Sequence, residues 1–141
     1  QGAIRNVPDL ERDYPEMYMV GELPAYGLYM HNVSGVVLNN VRVGLNNEDL
    51  RPAIVCDDVD DLELTGFKAA GSKKAASLIR LQNSSNVFIN GSRPANGIGT
   101  FLRVEGAKSK DIRLSGNKLN LAGKAVETGD GAKPGAVLYE K

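Results

Sequence analysis

The feature that most limits the fold of this chain is a repeat. Pairs of apolar residues two positions apart return about every 25 residues along most of its length. Leu28/Met30, Ile54/Cys56, Ile79/Leu81 and Leu102/Val104 form one column, with second members 26, 25 and 23 positions apart. Val36/Leu38, Leu62/Leu64, Val87/Ile89 and Ile112/Leu114 form another, stepping by 26, 25 and 25. Between the columns lie the polar breaks HNVSG, DDVDD, QNSSN and EGAKSKD, and after the second come NN, TG, NG and SG. Asn and Asp bond to nearby backbone and Gly takes positive φ without strain, so these breaks read as turns.

A spacing of two belongs to strands and excludes helices. A sandwich or barrel of hairpins also alternates, but nothing in it requires the same strand–turn–strand unit at a fixed period. A stack of parallel coils does, because like positions then fall about 4.8 Å apart. The sequence therefore predicts an all-β, right-handed parallel β-helix, since parallel crossovers take that hand. Four coils begin near Tyr26, Ala53, Ser77 and Thr100, a partial fifth ends in AVLYEK, and the eight residues of the first column point inward.

This divides the chain into coils over 26–141 and a leader over 1–25. The leader carries Tyr14, Met17, Tyr18, Met19, Val20 and Leu23, too apolar for a free tail, while Pro8, Pro15 and Pro24 argue against a ladder strand. It is expected to pack on the coils as an ordered irregular segment. A coil edge left partly bare invites self-association through the first coil.

With 141 residues the chain fits one domain with a real core. Its 17 basic and 17 acidic residues cancel, which removes the general electrostatic case for nucleic acid or an anionic membrane. Cys56 is the single cysteine, so no intrachain disulfide and no Cys/His zinc cluster is expected. No apolar run approaches the ~18 residues of a membrane span, and no signal-peptide pattern is present. The start at Gln1 suggests a processed product or a piece of something longer.

Stacking also assigns the polar columns. Asn32, Asp58 and Asn83 fall at equivalent turn positions and are expected to form a side-chain ladder, which makes DDVDD a turn rather than an acid/base pair. The Gly-rich stretches ANGIG and GDGAKPG lack phosphate-loop spacing and read as loops. Alternation places Tyr29 and His31, Val55 and Asp57, Arg80 and Gln82, Arg103 and Glu105 on one solvent-facing surface. On it His31 lies beside Asp57, and Arg80 beside Arg103. Two readings follow for this face: a surface salt-bridged through Glu105, or a subsite for an acidic sugar built from Tyr29, His31, Asp57, Arg80 and Arg103.

The stretch YPEMYMVGELPAYGLYMHNVSGVVLNNVRV, continuing through LRPAIVCDDVDDLELTG, resembles the C-terminal part of bacterial proteins of glycoside hydrolase family 28, the polygalacturonase-like right-handed β-helix enzymes. The likeness spans residues 14–66 and extends more loosely into FLRVEGAKSKDIRLSGN. It implies a pectin-type acidic polysaccharide as partner, hydrolysis with inversion, no organic cofactor, and a secreted, periplasmic or cell-surface location. The family's Asn-Thr-Asp segment, following Asp pair, Gly-His-Gly and Arg-Ile-Lys do not occur here in order, and His31 precedes the Asp pairs. No residue is thus carried over as catalytic, and the chemistry is expected in N-terminal coils missing from this chain. The alternative is a non-catalytic β-helix used for carbohydrate binding or assembly.

Overall fold

A computed structural model describes residues 23–141, which form a parallel β-solenoid of about five coils. Its strands are β1 (Leu28–Asn39), β2 (Arg42–Val43), β3 (Ile54–Thr65), β4 (Lys68–Ala69), β5 (Ile79–Gln82), β6 (Ser85–Asn90), β7 (Arg93–Pro94), β8 (Ile98–Glu105), β9 (Lys110–Ser115), β10 (Ala122–Gly129) and β11 (Val137–Glu140). Each coil has a first face (the starts of β1 and β3, then β5, β8 and β10) and a second face (the ends of β1 and β3, then β6, β9 and β11). A narrower third face holds β2, β4 and β7.

The register matches the repeat. Leu28 pairs with Ile54, Ile54 with Ile79, Ile79 with Leu102 and Leu102 with Val126 on the first face. On the second, Leu38, Leu64, Ile89, Leu114 and Tyr139 run in one line. Ile54, Cys56, Ile79, Leu81, Leu102 and Val104 are buried in the core. Leu28 and Met30 point the same way but are half-buried and pack against its edge, each having a single stacked strand neighbour among the described residues.

The corners explain how a strand turns without breaking the stack. Asn32, Asp58, Asn83, Gly106 and Asp130, one per coil, have φ of 58°, 58°, 48°, 93° and 50° at the first corner. Gly35, Asp61, Asn86 and Asp111 repeat the conformation three residues on, or five in the fourth coil, and Asn40, Gly66, Gly91 and Gly116 repeat it at the corner after the second face. These are the residue types that enter the left-handed region at least cost. DDVDD is thus a bend inside β3, as its turn chemistry required. The expected ladder of side chains takes another form: Asn83 Oδ1 accepts from the backbone N–H of Lys108 in the next coil at 3.3 Å.

Buried backbone at the corners is satisfied by short side chains that reach across one coil. Ser84 Oγ accepts from Val59 N–H at 3.2 Å, and Ser109 Oγ from Ser84 N–H at 3.1 Å. At the third corner Ser92 Oγ accepts from Phe67 N–H at 3.0 Å, and Asn117 Oδ1 from Ser92 N–H at 2.9 Å. Each takes a donor that the turn leaves without a strand partner.

Two stretches read as loops differ in part. Ile98 and Gly99 of ANGIG open β8, and GDGAKPG begins with the last residue of β10 and ends in a short 3-10 turn at Pro134–Ala136. The stack extends both because Ala122 pairs with Ile98 and Gly129 with Glu105. Of the leader, Pro24 and Ala25 are buried and Leu23 C=O accepts from Arg51 at 3.3 Å. The expected packing of residues 1–22 lies outside the described residues.

Burial also sets the chemistry of Cys56. Its environment pushes the thiol up to about 12 because the thiolate has no water. A group that keeps its proton in the fold and loses it more easily when unfolded stabilises the fold below the unfolded value of 9.0, and this contribution fades as pH rises toward 12. Cys56 is therefore expected to resist thiol reagents in the native state at neutral pH and to react on addition of denaturant. Stability should decline above about pH 9.0, less steeply in Cys56→Ala. Rapid native-state labelling with no global unfolding would show that this part of the core opens.

Candidate functional site

The first face brings together the residues expected there. His31 pairs with Asp57 in the strand register, with Nδ1 3.3 Å from Asp57 Oδ2. The rings of Tyr29 and His31 lie parallel, 7° apart in plane, with centroids 6.3 Å apart. Arg80 and Arg103 are direct register partners.

The face is only in part the solvent-facing surface that alternation predicted, Tyr29, His31, Asp57, Gln82 and Arg103 being half-buried and three others covered. Val55 is 0% exposed, Arg80 3% and Glu105 1%. Alternation tells inward from outward relative to the coil interior, but not whether the outward side is covered. Glu105 lies between the two arginines, 3.4 Å from Arg80 Nε and 2.6 Å from Arg103 Nε. Arg80 also donates to Gln82 Oε1 at 3.1 Å. The hydrogen bond that Arg103 donates to Glu105 raises the guanidinium above its already high range. Glu127, which accepts from Thr100 at 3.0 Å and from Lys124 at 3.2 Å, is held below the usual carboxylate range. Of the five residues, Tyr29 lies beside His31, His31 meets Asp57, and Arg80 and Arg103 share Glu105, with Arg80 the most enclosed of them.

A second feature lies on the third face, where no site was expected. Arg42 pairs with Lys68 and Lys68 with Arg93, and Lys118 continues the line. The backbone N–H groups of Lys68, Arg93 and Lys118 donate to Val41, Phe67 and Ser92 carbonyls at 3.0, 2.9 and 2.9 Å, so the four occupy equivalent positions. Their spacing in sequence, 26, 25 and 25, equals that of the second apolar column, and applying the repeat to charged residues would have found them. All four side chains lie at the surface, Lys68 the most covered, and they rim a groove of about 300 Å³. Gly66, Gly91 and Gly116 keep its floor low: at Gly66 a Cβ would collide with the Asn40 side-chain oxygen.

No protein family, curated protein or solved structure matches this chain. Among the described residues no group of three or more His, Cys, Asp or Glu is placed to hold a metal ion.

Proposed function

We propose that this chain is a non-catalytic portion of a polygalacturonase-like β-solenoid protein acting on pectin outside the cytoplasm, and that its own task is to bind acidic polysaccharide along the coils. The parent family rests on the resemblance of residues 14–66, and the state of the first-face carboxylates supports the non-catalytic part of the reading. Asp57 faces His31, Glu105 is held by Arg80 and Arg103, and Glu127 by Thr100 and Lys124. Glycosidic hydrolysis needs one carboxyl group to give a proton and a second, across a cleft, to activate water or attack the sugar. Carboxylates engaged by an imidazole, by cations and by hydroxyls within one sheet do not supply that pair. Binding fits the architecture better, because equivalent side chains recur at each coil and meet successive units of an extended polymer in the same way.

Purified chain incubated with polygalacturonate should release no reducing ends, yet be retarded in a native gel containing the polymer. Reducing-end release that is lost in Asp57→Asn would overturn the non-catalytic assignment. Migration unaffected by the polymer would overturn the binding role.

A further inference from the structure

From the geometry of the third face we infer that the column Arg42, Lys68, Arg93 and Lys118 is a binding site for an unbranched anionic glycan lying parallel to the solenoid axis. The inference rests on the binding role proposed above and locates it away from the first face, where the sequence had placed it.

The backbone positions of the four cations, stacked in register, stand about 4.8 Å apart, the distance between hydrogen-bonded strands. Like charges placed directly opposite each other destabilise a sheet. On the first face this chain relieves such a pair: Arg80 and Arg103, direct register partners, share Glu105. On the third face it does not. The segments NVRVG, GFKAA, GSRPA and GNKLN contain no acidic residue. Among the described residues none of the four cations has a carboxylate within ion-pair distance. A repulsive column without counter-charge is the arrangement that a polyanion stabilises on binding.

The surroundings select the kind of polyanion. On one side the column is bordered by Gly66, Gly91 and Gly116, beyond which run Asn39, Thr65, Asn90 and Ser115, paired strand to strand. Asn90 Nδ2 already donates to Thr65 Oγ1 at 3.0 Å, so these amides and hydroxyls present a polar strip suited to sugar hydroxyls. On the other side come Gly44, Ala70, Ala95 and Asn120, small enough for a chain to approach the backbone. None of these border residues is aromatic, and Tyr26, whose hydroxyl donates to the Ala70 carbonyl, is half-buried and not laid open as a platform. Single-stranded nucleic acids bind through stacking platforms beside a basic groove, and this face lacks the platforms. A glycan with one carboxylate or sulfate per sugar matches a track of single cations bordered by hydrogen-bonding groups.

The test compares three proteins: the wild type, a ladder variant Arg42→Gln/Lys68→Gln/Arg93→Gln/Lys118→Gln, and a control with the same loss of charge at Lys73, Lys74, Lys108 and Lys110, all four exposed. Affinities for polygalacturonate and dextran sulfate oligomers are measured at low and moderate salt, with oligo(dT) alongside, and melting temperatures are recorded. The wild type should bind both glycans more weakly as salt rises. The ladder variant should lose affinity roughly 10- to 30-fold, as four exposed ion pairs imply, without melting earlier. The control should bind as the wild type does. Wild-type binding that survives in the ladder variant would overturn this site and leave the binding role standing, whereas failure of the wild type to bind either glycan would overturn both. Oligo(dT) bound more tightly than the glycans would overturn the choice of ligand class.

Discussion

Replacing Leu64 or Ile89 by Asp is expected to abolish the folded state. The two residues are register partners on the second face, 1% and 0% exposed, with Leu38 and Leu114 continuing the line on either side. An ionised carboxylate moved into such a site would cost more than the whole stability of a typical domain, about 5–15 kcal/mol. Protonation lowers the charge penalty but leaves a buried hydroxyl and carbonyl facing aliphatic carbon. Parallel coils allow no sideways escape, because shifting one inward residue moves the strand that both neighbours use for hydrogen bonding. The matched control is Val37→Asp, at 64% exposure on the outer side of the same face, where a surface change of about ±0.5 kcal/mol or less is expected. Circular dichroism and thermal melts would decide it. A cooperative melt of Leu64→Asp near that of the wild type would mean that the coils do not stack as described.

The sequence shows the coil because each face that repeats through Leu, Ile and Val leaves two residues per coil at constant spacing. Val36/Leu38 and its equivalents step by 26, 25 and 25, and every one of them lies in the expected register. The third face has no such mark. Its strands are two residues long, so each offers one inward side chain, Val43, Ala69 or Pro94, and no alternation to read. β10 is quiet for a related reason: AGKAVETG contains one large apolar residue, Val126, and joins the stack through backbone pairing. The same limit explains the candidate sites. The pairing of His31 with Asp57 and of Arg80 with Arg103 follows from the repeat alone. The enclosure of Arg80 does not, because it depends on what lies over the sheet. The cation column was legible throughout, at the spacing already in use, in residues that a search for hydrophobic columns passes over.

Removing the charge of Glu105 is expected to be the most damaging polar substitution. This carboxylate is 1% exposed and is shared by Arg80, itself 3% exposed, and Arg103. Glu105→Gln keeps the shape and one acceptor but leaves the Arg80 guanidinium buried without that counter-charge, next to a second arginine in register. Breaking a buried pair in this way costs about 3–5 kcal/mol. For a chain of this size the loss corresponds to a fall in melting temperature of roughly 10–15 °C. The reason is the stranded charge and not a missing attraction, which the double variant Arg80→Leu/Glu105→Leu separates. With both buried charges gone and their volume largely kept by aliphatic carbon, most of the lost stability should return, while Arg103 retains Glu127 at 3.8 Å. If Glu105→Gln melts within a degree or two of the wild type, the pair is solvated and the first face is more open than its burial indicates. If it melts early and the double variant recovers, Arg80 is a structural cation neutralised from within. An acidic sugar on the first face would then have to displace a buried carboxylate from Arg80, whereas the third-face column requires no such exchange.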